Sequence, residues 1–274
     1  MSDNWAVSAQ NWHQVKAPLR PAKGELSLIT HYMEQLAEST GLEQALVMGT
    51  TPEYFHLPWP ANTRVCAVDS SPAMLGKVWP GPPNTAIRGN WLDLPLAGCS
   101  QDMVLLDAGL CLLSWPDEQA RVMHEIARVL KPGGVWIIRL LVLPRNPQTP
   151  EQVYQAVREG SIENLSYLRV HLWMALQAQN GRAATNQDIW GGLKKAFGSW
   201  TALATLMNCH ADYLYLHRFA EIRLTQAWPV FEFATLEDYE QLLCTPQTGL
   251  TCEARLHPEY AMGDRCPTLV LRKA

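Results

Sequence analysis

One stretch, residues 44–74, constrains the fold more than any other part of the chain. It reads QALVMGTTPEYFHLPWPANTRVCAVDSSPAM: a short apolar run, a glycine, a Thr-Pro-Glu helix start and a second apolar run that ends in Asp69. In a doubly wound α/β sheet, this order places the turn under the polar tail of a ligand and the acid beside a ribose. Asp69 follows Gly49 by 20 residues, close to the spacing of about 20 residues in dinucleotide-binding units. The stretch therefore predicts a site for an adenosine-containing ligand.

The glycine motif within this stretch is degenerate. Thr50, Thr51, Pro52 and Glu53 follow Gly49, where a nucleotide-binding turn usually has further glycines. The same residues suit a helix start, because threonine can cap, proline has no N–H to lose at the first position, and an acid favours the first turn. We expect the free N–H groups of this turn to hold a carboxylate. The alternative is an ordinary helix cap without a ligand.

Strand and helix patterns alternate through the rest of the first half. Residues 85–95 (TAIRGNWLDLP) predict a third strand, and residues 102–109 (DMVLLDAG) predict a fourth with Asp107 at its carboxyl end. Residues 116–130 (PDEQARVMHEIARVL) have apolar side chains at helical spacing after an acidic start. KPGG then ends that helix, and VWIIRLLVL is the nearly continuous apolar run expected of a parallel strand covered on both faces.

Taken together, these segments resemble the class I S-adenosylmethionine-dependent methyltransferases. The resemblance rests on AVDSSPAML, RGNWLDLPL, LLDAGLCLL and ARVLKPGGVWIIRL, which occur in the order and spacing of that family. It covers about residues 24–145, and GLTCEARLHP and CPTLVLRKA, within residues 249–274, can supply the last two strands. The implied fold is a Rossmann-like, doubly wound seven-stranded mostly parallel sheet with an antiparallel C-terminal edge and an inserted helical lid.

The resemblance also implies a domain plan and a function. A single domain is expected, with an N-terminal flap (1–23), a cofactor-binding core (24–146), a helical lid (147–230) and a last helix with two strands (231–274). The implied activity is methyl transfer from S-adenosylmethionine to a small-molecule acceptor, mainly by positioning. Two alternatives stay open: an idle regulatory or partner protein that binds S-adenosylmethionine, and a nicotinamide-dependent oxidoreductase, which the missing GxGxxG turn disfavours.

Carried over position by position, the resemblance implies a set of cofactor-binding residues that follow the ends of the strands. They are Gly49, Thr50, Thr51, Asp69, Ser70, Met74, Asn90, Trp91, Asp107, Ala108 and Gly109. The first three are expected under the methionine, Asp69 at the ribose hydroxyls, and the next four around the adenine. The side-chain oxygen of Asn90, where the family usually has aspartate, would accept from the adenine amino group, and Trp91 would offer its backbone N–H. The last three form the far wall beside the transferable methyl.

One residue departs from the family pattern in the first strand. Val47 stands where the family usually carries an acid near the ammonium group of the ligand. We expect that ammonium to have another partner, either a backbone carbonyl or the carboxylate of Asp107. The same departure keeps the idle alternative open.

The predicted lid is rich in helical patterns and aromatic residues. Its aromatic side chains are expected to shape an acceptor pocket or to form the core of the lid itself: Tyr154, Tyr167, Trp173, Trp190, Phe197, Trp200, Tyr213, Tyr215 and Trp228. Trp5 and Trp12 in the N-terminal flap are candidates for a second cover. Five histidines are possible general bases, although no catalytic residue is assigned: His13, His56, His171, His210 and His217.

Composition excludes several classes of partner. The chain of 274 residues is 47% hydrophobic and has a net charge of −4, so neither a basic stripe nor its overall charge favours binding to nucleic acid. An apolar signal core is absent, and no apolar run approaches the roughly 20 residues that span a bilayer. Seven scattered cysteines without CxxC spacing predict reduced thiols in a cytoplasm and no metal site. The sequence leaves open whether the protein is a monomer or a homodimer.

Overall fold

A central sheet of seven strands organises the structure, a computed structural model that describes residues 5–208 and 230–274. Its strands are β1 (Gln44–Met48), β2 (Arg64–Asp69), β3 (Ala86–Arg88), β4 (Gln101–Asp107), β5 (Leu130–Arg139), β8 (Leu250–Leu256) and β9 (Thr268–Lys273). They lie in the order β3-β2-β1-β4-β5-β9-β8. Strands β1 to β5 are parallel, and β9 runs antiparallel to both of its neighbours. The predicted sheet is confirmed, with the antiparallel strand β9 inserted between β5 and the edge strand β8.

The helices either flank the faces of this sheet or form a separate block. They are α1 (Ala6–Gln10), α2 (Lys23–Ser39), α3 (Pro52–Phe55), α4 (Pro72–Lys77), α5 (Asp117–Val129), α6 (Pro150–Arg158), α7 (Leu165–Asn180), α8 (Asn186–Phe197), α9 (Trp200–Leu206) and α10 (Leu236–Leu243). Ile29 and Met33 of α2 pack on one face of the sheet, and Val122 and Ile126 of α5 pack on the other. Within residues 5–208 and 230–274, none of the helices combines the length and apolar character needed to cross a membrane.

The predicted β1–turn–helix–β2 unit forms as expected, with one local difference. Gly49 follows β1 with φ of +85°, a conformation that side chains other than glycine rarely adopt. Thr51 occupies the N-cap of α3 and Pro52 its first position, but the threonine side chain makes no capping hydrogen bond. The helix is only four residues long. The turn is therefore set mainly by the glycine and the proline.

The KPGG segment differs from the prediction. It belongs to β5, because Gln101 pairs with Leu130 whereas Met103 pairs with Val135, so that the four intervening residues bulge from the ladder. The strand ends at Arg139, although the LLVL run after it is largely buried. Leu140 and Val142 donate their backbone N–H groups to the chain just before β9, to Pro267 and Arg265. Their burial thus comes from this irregular pairing instead of a continued strand.

Residues 147–208 of the predicted lid form a helical block. Its buried side chains belong to a hydrophobic cluster that also includes Cys111, Leu141 and Met262. Thr149 caps α6 together with Gln152 in a capping box, so the Thr-Pro-Glu sequence at residues 149–151 begins a helix. Trp190 packs edge-to-face on Trp200 with ring centroids 5.9 Å apart, and Tyr154 packs in the same way on Phe197. The residues Tyr213, Tyr215, Trp228, His210 and His217 lie outside the described residues. A two-stranded sheet of β6 (Ala184–Thr185) and β7 (Val230–Phe231) closes the block.

Candidate active site

A cavity of about 250 Å³ lies at the carboxyl ends of β1, β2 and β4. All eleven residues predicted from the resemblance line it: Gly49, Thr50, Thr51, Asp69, Ser70, Met74, Asn90, Trp91, Asp107, Ala108 and Gly109. Parallel strands deliver these residues to one edge of the sheet, which is where ligands bind in open α/β folds. The structure therefore brings the predicted set together, and the role of each residue remains a prediction.

Asp69 lies beside the glycine turn. Its Oδ1 accepts a hydrogen bond of 2.7 Å from the backbone N–H of Ser71. A Cβ atom added to Gly49 would lie 3.9 Å from the other carboxylate oxygen, Oδ2. The first oxygen thus fixes the side chain, and the second lies against the turn on the cavity side.

The side chain of Trp91 fills the space between the strand ends. Its indole Nε1 donates to the carbonyl oxygen of Val68 at 2.8 Å. A Cβ atom at Gly109 would come within 2.8 Å of the indole ring, and one at Gly49 would lie 3.4 Å from it. Sequence reasoning assigned only the backbone N–H of Trp91 to the site. The structure adds that the indole is a wall of the cavity and that Gly109 must lack a side chain to accommodate it.

Asn90 has a local partner. Its Oδ1 accepts a hydrogen bond of 3.0 Å from the backbone N–H of Leu92. This contact fixes the side chain at the turn after β3, where the residue lines the cavity. An amide oxygen has two lone pairs, so the predicted bond to an adenine amino group remains compatible with this contact.

Asp107 forms a buried ion pair with Arg139 at the end of β5. Nε of the arginine donates to Oδ1 at 2.5 Å, and the two side chains are only 0% (Arg139) and 6% (Asp107) exposed. Burial raises the pKa of Asp107, and the neighbouring guanidinium opposes this rise. An ammonium at this carboxylate would share it with Arg139. Sequence analysis did not select Arg139, but a lone cation within the apolar run VWIIRLLVL was a signal that could have found it.

The N-terminal segment covers the cavity. Trp5, Trp12, Val15 and Leu19 contribute to its lining. Arg139 anchors the segment from below, since its Nη1 donates to the carbonyl oxygen of Pro18 at 2.6 Å.

Two more contacts tie this segment to the rest of the fold. The N–H of Lys16 donates to Ser166 Oγ on α7 at 3.2 Å. Arg20 pairs with Glu53 of α3 at 2.5 Å. The segment is therefore joined to the core and to the helical block.

The helical block supplies the opposite wall of the cavity. Arg169 and Trp173 of α7 and Phe231 of β7 line it. Trp173 stacks on Phe231 with ring centroids 3.8 Å apart, and Cζ of Arg169 lies 4.8 Å from the centroid of the Trp173 ring. Of the aromatic residues singled out in this block, Trp173 is the one among the described residues that lines the cavity, whereas Arg169 and Phe231 were not selected.

The described histidines proposed as bases do not line the cavity. His171 instead contacts Gln148 at 2.7 Å and Arg265 at 3.0 Å through Nδ1. Burial, and then the charge of Arg265, lowers its pKa to about 4. Cys111 does line the cavity, but burial raises the pKa of its thiol to about 12, so it stays protonated at neutral pH.

A comparison with protein families identifies the core. Residues 46–138 match the family described as a methyltransferase domain. These residues are therefore assigned to a methyltransferase domain, in agreement with the resemblance to the class I S-adenosylmethionine-dependent methyltransferases. Its cofactor is accordingly S-adenosylmethionine. None of the curated proteins matches the chain.

Solved structures share the fold over nearly the whole chain. A Rhodobacter sphaeroides protein named as a zinc-dependent alcohol dehydrogenase is 13% identical, with a TM-score of 0.59 and coverage of 98% of this chain and 97% of that one. PH0226 of Pyrococcus horikoshii is 16% identical, with a TM-score of 0.52 and coverage of 96% and 99%. The CcbJ methyltransferase of Streptomyces caelestis is 16% identical, with a TM-score of 0.52 and coverage of 99% and 97%. At these identities the likeness concerns the fold alone.

Proposed function

We propose that this protein transfers a methyl group from S-adenosylmethionine to a small-molecule acceptor bound in the same cavity. The observation that carries the proposal is the enclosure of the cavity. The strand ends form its floor, the segment around Trp12 covers it, and Trp173 with Phe231 closes one side. A space of about 250 Å³ bounded in this way suits a small acceptor better than a polymer.

The residues at the floor fit the cofactor. Thr50 is 3% exposed, and its Oγ1 has no hydrogen-bond partner among the described residues. The missing Cβ of Gly49 leaves the backbone accessible beside Asp69. We therefore assign Gly49, Thr50 and Thr51 to the methionine, Asp69 to the ribose hydroxyls, and Asp107 to the neighbourhood of the ammonium. Asn90 and Trp91 border the adenine.

Catalysis would come mainly from alignment. The cofactor supplies a methyl group that is already activated, so a nucleophile held in line needs no further electrophilic help. Trp12, Trp173 and Phe231 would exclude water around the reacting atoms. A base is needed only if the acceptor loses a proton during attack, and the assignment of such a base stays open.

Calorimetric titration of the parent protein with S-adenosylhomocysteine and with NAD tests the cofactor. We expect binding of the former and none of the latter. Asp69→Ala should weaken S-adenosylhomocysteine binding by a factor of ten or more, because charge-assisted hydrogen bonds of roughly 1.5–3 kcal/mol are lost. Asp69→Asn separates the loss of binding from a loss of folding, because the asparagine side-chain oxygen can still accept the hydrogen bond from the backbone N–H of Ser71. Asp264→Asn is the matched control, because the Asp264 side chain is 74% exposed and outside the cavity lining.

Transfer of a labelled methyl group to the low-molecular-weight fraction of a metabolite extract tests the activity. Label that appears in small molecules with the parent, and not with Asp69→Ala, supports the enzyme. Binding of S-adenosylhomocysteine without any transfer would favour the idle alternative. Binding of NAD alone would favour an oxidoreductase and contradict the proposal.

A further inference from the structure

The cavity has a single cationic side chain among the described residues that line it. Asp69 and Asp107 carry negative charge near the strand ends, and Arg169 carries positive charge on the wall formed by α7. The remaining lining of that wall is apolar, including Leu141 and Phe231. A guanidinium on an otherwise apolar wall gives a ligand one place to put a negative group.

Packing fixes the position of this guanidinium. The Phe231 ring lies 3.8 Å from the Trp173 ring at an interplanar angle of 25°, and Arg169 Cζ lies 4.8 Å from the same Trp173 ring. The indole of Trp173 therefore contacts both an aromatic ring and a cation. A guanidinium carries its N–H groups in its own plane, so contact with a ring face is compatible with donation to a ligand.

The neighbouring indoles supply further donors. Trp173 is 1% exposed, and its Nε1 is buried without a hydrogen-bond partner in the part of the chain that the structure describes. Nε1 of Trp12, which also belongs to the cavity lining, is in the same state. A buried donor without a partner is costly. Both rings belong to the cavity lining, so a ligand with acceptor oxygens would satisfy groups that an apolar ligand would leave unpaired.

This wall lies beside the place assigned to the methyl group. The backbone N–H of Glu232, next to Phe231, donates to the carbonyl oxygen of Cys111 at 2.8 Å. Cys111 in turn donates its thiol to the carbonyl oxygen of Ala108 at 3.1 Å. The wall of Arg169, Trp173 and Phe231 is thus linked by two hydrogen bonds to the far wall of the cofactor site.

We infer that the acceptor carries a carboxylate on an apolar body, with Arg169 binding the carboxylate and Trp173 supporting it. This inference rests on the proposed function and adds the substrate class. An acceptor with a carboxylate is favoured over an acceptor with an amine at this wall. The cation and the two indole donors attract a negatively charged, oxygen-bearing group, and the apolar wall offers a positively charged group no partner.

The test compares acids with their uncharged amides on the full-length protein saturated with S-adenosylhomocysteine. The probes are benzoate, naphthalene-2-carboxylate and indole-3-acetate, each beside its amide, titrated by calorimetry. We expect at least one acid to bind about tenfold more tightly than its amide, as a charge-assisted hydrogen bond allows. Arg169→Gln should remove that preference, and Arg169→Lys should keep part of it. Arg158→Gln is the matched control, because Arg158 also lies over an aromatic ring, Phe197 at 5.3 Å, but outside the cavity lining.

Several outcomes would overturn the inference. Amides that bind as well as the acids, or no binding by any acid, would exclude a carboxylate at this wall. Arg169→Gln could instead weaken S-adenosylhomocysteine while leaving methylthioadenosine, which has no carboxylate, unaffected. In that case Arg169 binds the cofactor's own carboxylate and not the acceptor's. Failure of the parent to bind S-adenosylhomocysteine would be a separate result, against the proposed function itself.

Discussion

The buried pair of Arg139 and Asp107 allows a quantitative test of how the site is built. In Arg139→Met, the Asp107 carboxylate would lose its partner at 2.5 Å while remaining buried. The carbonyl oxygen of Pro18 would also lose its donor. Removing one member of a buried ion pair typically costs about 3–5 kcal/mol. We therefore expect the free energy of unfolding of Arg139→Met to fall by about this amount.

A double-mutant cycle separates the pair from the rest of the packing. Replacing both residues, as in Arg139→Met with Asp107→Leu, removes the uncompensated charge, and such replacements are often neutral. The double variant should therefore lose less stability than Arg139→Met alone. Urea unfolding followed by tryptophan fluorescence measures the free energy of unfolding of the parent, the two single variants and the double variant. The comparison requires that the slope of this free energy against urea concentration is the same in all four.

The dependence on pH gives the sign of the effect. Burial raises the pKa of Asp107, and Arg139 counteracts this, so removing Arg139 should raise that pKa further. The loss of stability in Arg139→Met comes from the ionised Asp107 carboxylate. This loss should be small below the ordinary aspartate pKa and should grow as pH rises through the raised pKa of Asp107. Arg139→Met should thus lose more stability at pH 8 than at pH 5. Two results would refute the reasoning. One is a loss of unfolding free energy below about 1 kcal/mol for Arg139→Met at pH 8, and the other is a double variant whose loss equals the sum of the losses in the two single variants.

Three further predictions concern other parts of the fold. Gly109→Ala should destabilise the protein by about 1–3 kcal/mol and weaken S-adenosylhomocysteine binding, because its Cβ would come within 2.8 Å of the Trp91 ring; unchanged denaturation and titration curves would contradict this. The pKa of His171 is lowered to about 4 by burial, so stability should fall by up to about 3 kcal/mol as pH drops from 6.5 to 4, and His171→Leu should flatten that dependence. In hydrogen exchange, α6 to α9 should gain protection when S-adenosylhomocysteine binds, as expected of a lid; equal protection in both states would mark the block as fixed core.

The sheet and the cofactor end of the site could be predicted because their signals are local. Each strand is a short apolar run, and the residue that matters lies at its carboxyl end, as Asp69 ends β2 and Asp107 ends β4. Once the strand order is known, these ends must meet at one edge. The order of the strands along the chain was therefore enough to predict that these eleven residues line one cavity.

The acceptor end could not be predicted in the same way. Arg169 and Phe231 are 62 residues apart in the sequence, and only the packing of the helical block brings both to the Trp173 ring. Helical spacing distinguishes an inner face from an outer one, but it does not tell a cavity wall from the core of the block. Trp190 and Trp173 looked alike in the sequence; the first packs on Trp200, and the second lines the cavity.

The degenerate turn shows which part of a glycine motif has a physical cause. Gly49 has φ of +85°, whereas neither Thr50 nor Thr51 has a positive φ. A side chain is therefore strained at the first position and unstrained at the next two. The space that further glycines would leave open is bounded here by Trp91, whose indole is hydrogen-bonded to Val68 and packs against Gly49. A search that counts glycines misses this site, because the backbone requires a glycine at only one of these three positions. The rest of the wall is formed by Trp91, which follows β3.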